Sequence, residues 1–452
     1  MPTGMHYPID LDAVPASWET GYVGDFALVI QPGFASGKHN KEGRGIPHIR
    51  PYNIDRLGKL DLSEIKSVAP DADRKRLHSG DVLFNNTNSP ELIGKTSIIA
   101  VAGDWGFSNH MTRVAFSDTV SPKFAAYQLH YLWMRGYFLH NCVKHVNQAS
   151  VSSTTLAHTV PFVKPPRPQQ EDIVAEIEKQ FSRLDEAVAN LKRVKANLKR
   201  YKAAVLKAAV EGKLASTEQP WKQVELGDIA TSIKNGYSKK PDAERGTRIF
   251  RISAVRPMDL DAEDVRFLSG VPSDYTPFLV GPDDVLFTRY NGSRDYVGVC
   301  ARVPASLPPT VYPDKLIRVR VQDSMLLPGF LVILASTGRA RKYVESKIRT
   351  TAGQSGISGG DLKSLPLDIP RVEEQRQIVA EVERRLSVID ELDATIEANL
   401  TRADRLRLSV LSQAFSGRLL GQDTKHIPDI LPTFSIAAES QARYGRDGRA
   451  RR

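Results

Sequence analysis

The sequence predicts an α+β protein with two tandem, mainly β domains, each followed by a long helix, and with the two helices paired as an antiparallel coiled coil. Three observations predict this fold. Residues 173–214 align without a gap onto residues 378–419, a displacement of 205 positions. Each copy has an apolar residue at every seventh position, which is the pattern of a coiled coil. The segments before the copies are short apolar runs separated by Gly, Pro and Asn, as in β domains.

The seven-residue step defines the predicted seam of the coiled coil. The seam positions are Ile177, Leu184, Leu191, Leu198 and Val205 in the first copy and Val382, Ile389, Ile396, Ala403 and Val410 in the second. Lys195 and Lys202 take the other seam site late in the first copy, so we expect Val194 and Tyr201 to move onto the buried face. Such drift is typical of a 3.6-residue helix carrying a seven-residue repeat. At 1.5 Å per residue each helix would be roughly 60–70 Å long.

Start and stop signals set the limits of the two helices. Each copy starts after a proline, Pro168 or Pro370, and ends at a glycine, Gly212 or Gly417. The heptads alone fit pairing between two chains equally well, but two copies in one chain, with a folded segment between them, favour pairing with each other. The predicted segments are domain 1 at 1–160, the first helix at 161–216, domain 2 at 217–366, the second helix at 367–421, and a tail at 422–452 that we expect to be disordered.

The repeat extends into the β domains, although the similarity there is patchy. Trp18 matches Trp221, residues 80–84 match 283–287, and Gln148 matches Gln354. Predicted strands in domain 1 include residues 46–49, 81–84 and 96–101. One helix is predicted in each domain, at 124–138 and at 329–348. The sequence therefore predicts two copies of one scaffold with divergent loops.

Composition narrows the class of protein. A length of 452 residues suggests two to four domains, and a net charge of +10 with a pI near 9.4 suits a polyanionic partner. No apolar run is long enough to span a membrane, and the start of the chain lacks a secretory signal. The two cysteines, Cys142 and Cys300, do not suggest a disulfide framework or a zinc cluster. We therefore expect a cytoplasmic protein.

No evident catalytic motif occurs in the chain. The segment 89–96 ends in Gly94-Lys95-Thr96, but Ser89 stands where a phosphate-binding loop needs glycine. His140, Cys142 and His145 lack a fourth ligand, so we expect no metal site there. The sequence also lacks the Asn/Asp-Pro-Pro-aromatic motif of amino-methyltransferases. We expect no catalytic residues in this chain.

Polar and basic residues in the variable loops are the candidates for binding nucleic acid. Lys and Arg grip phosphates, whereas Asn, Gln and Arg can make paired contacts with base edges. The alternative for any single residue is a solvated polar loop. The candidates are Lys38, His39, Arg44, Asn86 and Asn88 in domain 1, and Lys239, Lys240, Arg245, Arg248, Arg289, Asn291 and Arg294 in domain 2.

The order of these features resembles the specificity subunit of type I restriction-modification systems. The resemblance covers about residues 15–420 and depends on the repeated Trp and Gly-Asp, the Gly/Asp-Asp-Val-Leu-Phe strand and the Ile-Val-Ala-Glu helix start. It implies that the β domains are target-recognition domains, each reading one half of a bipartite site in double-stranded DNA. It further implies that the helices fix the gap between half-sites and dock two methyltransferase subunits.

The same resemblance implies where the chemistry resides. S-adenosylmethionine and adenine N6 methylation would belong to the modification subunits, and ATP and Mg to restriction subunits. One departure concerns the loops after the Leu-Phe strands. The second half has Asn291-Gly292 there, whereas the first half has no glycine before Gly94, so we expect the first loop to be shaped differently. Two alternatives remain open: a structural coiled-coil scaffold without a DNA role, and a stand-alone enzyme with an unrecognised site.

Overall fold

The computed structural model describes residues 7–36, 38–69, 75–146, 148–215, 219–351 and 353–421. The chain forms two compact units. Unit 1 combines residues 1–191 with 398–452, and unit 2 consists of residues 192–397. Each unit therefore holds one β domain together with a part of both long helices. The predicted tail, 422–452, lies outside the described residues.

Domain 1 is built from short strands and a few helices. Its helices are Val23–Phe26, Pro51–Asn53 (a 3-10 turn), Pro122–Met134, Tyr137–His140 and Ser153–Thr159. Its strands are Glu19–Tyr22, Ala27–Pro32, Ile46–Ile49, Lys66–Val68, Val82–Asn85, Thr87–Asn88, Thr96–Ile98, Gly106–Phe107, Met111–Phe116, Val143–Lys144, Ala149–Ser150 and Pro161–Lys164.

These strands form four sheets. The central antiparallel sheet has the order 27–32, 111–116, 82–85, 96–98. A second sheet pairs 46–49 with 66–68 antiparallel and with 106–107 parallel. A small antiparallel sheet has the order 143–144, 149–150, 87–88. Strands 19–22 and 161–164 form a two-stranded ribbon, which brings the start and the end of the domain together.

Domain 2 repeats this plan. Its helices are Leu226–Ile229, Pro328–Ser336, Gly338–Lys347 and Gly359–Lys363, with 3-10 turns at Ile252–Ala254, Pro272–Phe278 and Arg294–Tyr296. Its strands are Lys222–Glu225, Ala230–Asn235, Thr247–Phe250, Val255–Arg256, Asp259–Leu260, Val265–Leu268, Val285–Thr288, Tyr290–Asn291, Cys300–Arg302, Thr310–Val311, Leu316–Val321, Arg349–Thr351, Gln354–Gly356 and Pro366–Ile369.

Every sheet of domain 1 has a counterpart in domain 2. The central sheet has the order 230–235, 316–321, 285–288, 300–302, and the second sheet the order 265–268, 247–250, 310–311. The small sheet has the order 290–291, 354–356, 349–351, and the ribbon pairs 222–225 with 366–369. Strands 255–256 and 259–260 add a further ribbon. The predicted α+β class with two tandem, mainly β domains is confirmed.

The helix predicted in each domain is in fact two helices. In domain 1 the predicted helix 124–138 is divided at Gly136, which has a left-handed φ of 75°. In domain 2 the predicted helix 329–348 is divided before Gly338, whose φ is 65°. A residue with this backbone conformation cannot continue a right-handed helix. The prediction of one helix in each domain was therefore wrong, because the chain changes direction at a left-handed glycine inside each predicted helix.

The two long helices, Arg167–Val210 and Val372–Phe415, run antiparallel. In unit 1, Arg407 of the second helix bonds to Asp185 of the first. In unit 2, Lys195 lies 3.7 Å from Asp393, and Lys202 lies 3.6 Å from Asp390. In these contacts the residue numbers of the first helix increase while those of the second helix decrease. The predicted antiparallel pairing is therefore confirmed. None of the described helices combines the length and the apolar character needed to cross a membrane.

Most residues of the predicted coiled-coil seam are buried, whereas the two residues that were expected to move onto the buried face are exposed. The buried seam residues are Ile177, Val205, Val382, Ile389, Ile396, Ala403 and Val410, while Leu184, Leu191 and Leu198 are half-buried. Val194 and Tyr201 are 43% and 47% exposed, so the prediction that they join the buried face was wrong. Lys195 and Lys202 keep the neighbouring seam site because their ammonium groups reach carboxylates of the second helix.

Polar residues repeated in both halves have repeated structural roles. Gln170 donates to the carbonyl of Pro165 at 2.7 Å and accepts the N–H of Ser121 at 2.7 Å. Gln375 donates to the carbonyl of Pro370 at 2.9 Å and accepts the N–H of Leu327 at 2.8 Å. Both glutamine side chains are fully buried. Each one therefore fastens the start of a long helix to the β domain of its own unit.

The aspartate of the repeated Asp-Val-Leu-Phe strand also has the same structural role in both halves. Asp81 accepts a bond from Arg113 Nε at 2.6 Å and one from the N–H of His78 at 2.6 Å. Asp284 accepts Arg320 Nε at 2.5 Å and the N–H of Gly281 at 2.7 Å. Both carboxylates are buried at the start of a central strand. These aspartates hold the turn before the strand to its neighbour, and this explains why the motif occurs twice.

Candidate nucleic-acid interface

The small sheet of each domain holds one predicted DNA-contacting residue at an equivalent position. In domain 1, Asn88 lies opposite Ala149. In domain 2, Asn291 lies opposite Ser355. Both asparagines are half-buried. The loops that follow the two central strands therefore begin with the same backbone arrangement, even though their sequences differ.

The two loops that follow the central strands each end at a glycine with the same backbone contact. The N–H of Gly94 donates to the carbonyl of Asn85 at 2.9 Å, and the N–H of Gly298 donates to that of Thr288 at 2.8 Å. Both glycines have a positive φ, 95° and 68°. Gly298, rather than Gly292, is thus the counterpart of Gly94. The two loops before these glycines still differ in shape, since the second contains a 3-10 turn at Arg294–Tyr296 and the first has turn residues instead.

A polar cleft of about 650 Å³ lies beside the small sheet in domain 1. Of the predicted candidates, His39 and Asn88 line it. Sequence reasoning missed its other polar lining residues, which come from separate loops and share no motif; they include Arg50, Tyr52, Asn109, His110 and Gln148. These side chains supply amide, imidazole, phenol and guanidinium groups, which are the groups that contact base edges and phosphates.

Two buried basic side chains, Lys95 and His48, lie against this cleft. Lys95 is 6% exposed and donates from Nζ to the carbonyl of Ile54. Burial lowers the pKa of Lys95. Burial, together with the positive charge of Arg50, lowers the pKa of His48 to about 4, so His48 is neutral at pH 7. Lys95 of the segment 89–96 is thus bound to the protein's own backbone.

The side chains of Asn86 and Arg289 are hydrogen-bonded within their own domains. Asn86 is 7% exposed, and its Nδ2 donates to the carbonyl of Asn109 at 3.1 Å. Arg289 occupies the equivalent position and donates from Nη1 to the carbonyl of Asp314 at 3.3 Å. A second bond from Asn86 Nδ2, to Thr112 Oγ1 at 2.9 Å, uses its other amide proton. Both amide protons of Asn86 are therefore used within its own domain.

Arg289 also stacks with an aromatic ring. Its guanidinium carbon lies 4.7 Å from the centroid of Tyr290, and Nζ of Lys315 lies 5.0 Å from the same centroid. Two cations share one ring at the start of the loop, where a phosphate would complement them. Arg294, further along, is exposed and donates to the carbonyl of Glu345 at 3.2 Å.

The remaining basic candidates are on the surface, with one exception. Arg248 is half-buried and donates to Glu263 at 3.2 Å and to the carbonyl of Ala262 at 2.5 Å. Arg44 is exposed and lies 3.4 Å from Glu42. The other exposed candidates are Lys38, Lys239, Lys240 and Arg245. Arg248 is therefore already neutralised within its own domain, whereas the exposed residues can meet phosphates.

The two cysteines, Cys142 and Cys300, are free thiols. Cys300 is buried, and burial raises the pKa of its thiol to about 12, so the thiol is protonated at pH 7. Cys142 is half-buried, and burial raises its pKa as well. Within the described ranges, no three His, Cys, Asp or Glu side chains converge in a way that could hold a metal ion.

Comparison of the sequence with known proteins gives a consistent result. No family model matches the chain. It is 29% identical over 416 residues to the type I restriction enzyme EcoKI specificity subunit of Escherichia coli (strain K12), covering 87% of this chain and 86% of that protein. It is 24% identical over 410 residues to the type I restriction enzyme StySPI specificity subunit of Salmonella potsdam, covering 87% and 86%.

Solved structures share the fold. A chain from a study of complex assembly and conformational transition of the type I R-M system matches with a TM-score of 0.69 at 19% identity, covering 90% of this chain and 99% of that one. The HsdS subunit from Thermoanaerobacter tengcongensis matches with a TM-score of 0.54 at 19% identity, covering 90% and 98%. At these identities the structural matches establish the fold alone.

Proposed function

Because this chain belongs to the family of type I restriction enzyme specificity subunits, we propose that each of its two β domains reads one half of a bipartite site in double-stranded DNA. The similarity to the EcoKI specificity subunit carries this proposal, since it extends over 87% of the chain and includes both domains and both long helices. The repeated small sheets support it, because each gives its domain an equivalent set of loops.

The paired helices suit the role of a spacer. Both have 44 residues, which corresponds to a length of about 66 Å at 1.5 Å per residue. Two modules on a stiff spacer bind a bipartite site more tightly than one module can, and only at one separation. In this proposal the helices also dock two modification subunits, and restriction subunits complete the complex.

The proposed subunit recognises DNA without catalysis of its own. The modification subunits would supply S-adenosylmethionine binding and adenine N6 methylation, and the restriction subunits would use ATP and Mg. Because the substrate is host or invading DNA, the proposed complex works in the cytoplasm. The comparisons give no support to a structural scaffold without a DNA role.

Modified-base sequencing of host DNA tests the proposal. The host is sequenced with the gene intact, with the gene deleted, and with the deletion complemented from a plasmid. We expect a bipartite motif with methyladenine in each half, lost on deletion and restored by the plasmid. Co-purification with a methyltransferase is checked in the same strains. A methylation pattern unaffected by deletion, together with no associated methyltransferase, would contradict the proposal.

A further inference from the structure

Among the described residues of domain 2, Arg289 is a half-buried arginine without a carboxylate partner. The other arginines of this domain that are not exposed each have one: Arg248 pairs with Glu263 at 3.2 Å, Arg318 with Asp284 at 3.8 Å and Arg341 with Glu345 at 2.9 Å. A partly enclosed charge without a counter-ion is unfavourable. Arg289 therefore lacks the counter-ion that the others have, and an external anion can supply it.

A second cation lies beside the same aromatic ring as Arg289. The guanidinium carbon of Arg289 lies 4.7 Å from the centroid of Tyr290, and Nζ of Lys315 lies 5.0 Å from that centroid. Lys315 is also half-buried, and in the part of the chain that the structure describes it forms no ion pair. The two positive charges repel each other, and a bound anion offsets that repulsion. These three residues are called the cation cluster.

The small sheet of domain 2 fixes the ring of this cluster. Tyr290 lies opposite Gly356, and a Cβ on that glycine would lie 2.3 Å from Cδ1 of the ring. The ring therefore packs directly on the backbone of the neighbouring strand. Arg289 is held by the ring and by the carbonyl of Asp314, to which its Nη1 donates at 3.3 Å. Its position is thus set before a ligand binds, which lowers the entropic cost of binding.

Domain 1 has no comparable cluster at the equivalent positions. The N–H of Arg289 donates to the carbonyl of Lys315 at 2.8 Å, and the N–H of Asn86 donates to that of His110 at 3.0 Å. Strand pairing identifies the remaining equivalents. The counterparts of Arg289, Tyr290, Lys315 and Gly356 are Asn86, Thr87, His110 and Ser150. Cations, ring and glycine are replaced together, so the cluster is not a requirement of the shared scaffold.

The donors of the cluster suit a phosphate better than a base. An arginine that reads guanine presents two parallel N–H groups to one base edge. Nε of Arg289 is enclosed without a hydrogen-bond partner, and Nη1 already donates to Asp314, so the edge formed by Nε and Nη2 is closed to DNA. Lys315 adds a point charge whose donors have no fixed direction. A phosphate accepts such donors from several directions.

We propose that the cation cluster of domain 2 binds the phosphate backbone of the half-site that this domain reads, an inference that rests on the proposed function. Arg289 and Lys315 supply the charge, and Tyr290 positions the guanidinium. The cluster directly precedes Asn291, at the start of the loop that carries the predicted base contacts. Phosphate contacts fix the register of a protein on DNA without reading its sequence. The cluster thus places the loop on its half-site whatever the bases are.

The test removes the charge of single phosphates in the DNA. The full chain is assembled with its modification subunits and bound to duplexes in which one phosphate at a time, in or beside either half-site, is replaced by an uncharged methylphosphonate. For the wild-type complex we expect a replacement in the half-site of domain 2 to weaken binding about tenfold. The paired variant Arg289→Asn with Lys315→His has the residues of domain 1 and should be insensitive to that replacement. At about pH 8 the introduced histidine is neutral.

Salt dependence and base discrimination distinguish a phosphate contact from base reading. The paired variant should bind duplexes of every sequence more weakly than the wild type does. The slope of log affinity against log salt concentration should become less steep by about 1 or more. Discrimination against substituted base pairs should remain that of the wild type, because phosphates carry no sequence information.

Matched variants separate the effect of the cluster from a change in net charge or folding. Arg251→Asn with Arg339→Asn removes the same charge from domain 2, but Asp264 and Asp368 already neutralise these arginines, so the salt slope should stay close to that of the wild type. Tyr290→Leu should weaken binding, and this loss should be absent in Tyr290→Phe, which keeps the ring. Thermal melting shows that each variant complex is folded.

Four outcomes would overturn the inference. A paired variant that is as sensitive as the wild type to every methylphosphonate would show that other residues hold the phosphates. Lost discrimination at one base pair with an unchanged salt slope would show that the cluster reads a base. A folded variant that no longer assembles with the modification subunits would show that the cluster docks a protein. These three results leave the proposed function standing, whereas a wild-type complex that neither binds nor methylates DNA would refute both.

Discussion

Asp185 of the first long helix and Arg407 of the second form an ion pair that is also joined to domain 1. Nζ of Lys59, in a loop of domain 1, lies 2.5 Å from the other carboxylate oxygen of Asp185. The side chain of Arg407 is 4% exposed, and its guanidinium lies 5.1 Å from the centroid of Phe181. One carboxylate therefore ties together a β domain and both helices within unit 1.

The equivalent position in unit 2 is built differently. There Lys202 and Asp390 lie 3.6 Å apart, with side chains 38% and 67% exposed. An exposed pair of this kind contributes little to stability, whereas the removal of one partner from a buried pair leaves an uncompensated charge. The two units thus offer a matched comparison of the same ion pair in two environments.

We predict that Asp185→Ala lowers the free energy of unfolding of unit 1 by about 3 kcal/mol. This value is at the lower end for a buried pair because Asp185 is itself 33% exposed. Asp390→Ala is the matched control and should cost less than about 1 kcal/mol. Both free-energy changes are measured by urea unfolding that is monitored through hydrogen exchange in helix segments 173–185 and 378–390. Equal costs for the two variants would contradict the difference in burial.

Because domain 1 contains buried histidines, we predict that it loses more stability than domain 2 in mild acid. Nine of the ten histidines lie within residues 1–160, and residues 217–366 contain none. Burial lowers the pKa of His130 to about 4, and burial together with Arg50 does the same for His48. In the unfolded chain both pKa values return to about 6.5.

The folded and unfolded pKa values of these histidines determine how stability changes with pH. Between about pH 6.5 and pH 4 the unfolded chain takes up protons that the folded domain does not, so stability falls as the pH falls through this window. The loss is at most about 3 kcal/mol for each histidine. Hydrogen exchange, corrected for intrinsic rates, should rise in strands 82–85 and 111–116 at pH 5 relative to pH 7.5. Equal protection loss in strands 285–288 and 316–321 would contradict this prediction.

Gly94 can be tested against a glycine with the same conformation and free space around it. A Cβ at Gly94 would lie 2.1 Å from Cδ2 of Phe138, and the residue has a φ of 95°. Gly43 also has a positive φ, 74°, but a Cβ there meets nothing within 4 Å. We expect Gly43→Ala to cost about 1 kcal/mol from backbone strain alone, and Gly94→Ala to cost about 3 kcal/mol or more because overlap is added.

Thermal unfolding of the full chain measures the two glycine variants. The transition assigned to domain 1 should shift clearly for Gly94→Ala and only slightly for Gly43→Ala. Gly298→Ala, where a Cβ would lie 2.3 Å from Cγ1 of Val344, should lower the transition assigned to domain 2 in the same way. If Gly94→Ala and Gly43→Ala cost the same, steric overlap with Phe138 does not contribute.

Periodicity made the fold class predictable from the sequence. A long alignment with a fixed displacement identifies repeated units, and a seven-residue step identifies paired helices, because both signals extend over many residues. The break at Gly136 depends on the backbone angle of one residue. A single residue gives no repeated pattern from which such a break could be predicted. The exposure of Val194 and Tyr201 depends on carboxylates of the second helix that bind Lys195 and Lys202.

The candidate interface was less predictable because it is assembled from distant segments. Gln148 and Gln354 were recognised as equivalent positions, but only the pairing of the small sheets places them beside Asn88 and Asn291. Asn86 has the residue type that reads adenine, yet its amide bonds to the carbonyl of Asn109. Residue type shows what a side chain can bind, whereas tertiary contacts determine whether it is available.

Removal of a matched heptad from both helices tests whether they set the gap between half-sites. Lys195 bonds to Glu397, so segments 192–198 and 394–400 face one another. Deleting both segments keeps the seven-residue phase of the seam and shortens the pair by about 10 Å. We expect the methylated motif to keep both half-sites and to lose about 3 base pairs from its gap, at 3.4 Å per base pair. Modified-base sequencing reads the gap directly.

A mismatched deletion is the control for this experiment. Removing residues 192–198 alone shifts the part of the first helix after the deletion by one heptad, so that Lys202 no longer meets Asp390. The buried contacts of Val205, Leu206 and Ala209 in unit 2 would be lost with it. We expect methylation to be abolished in this variant, although the chain is only seven residues shorter. If the matched deletion methylates the original motif with its gap unchanged, the helices are not the element that measures the distance.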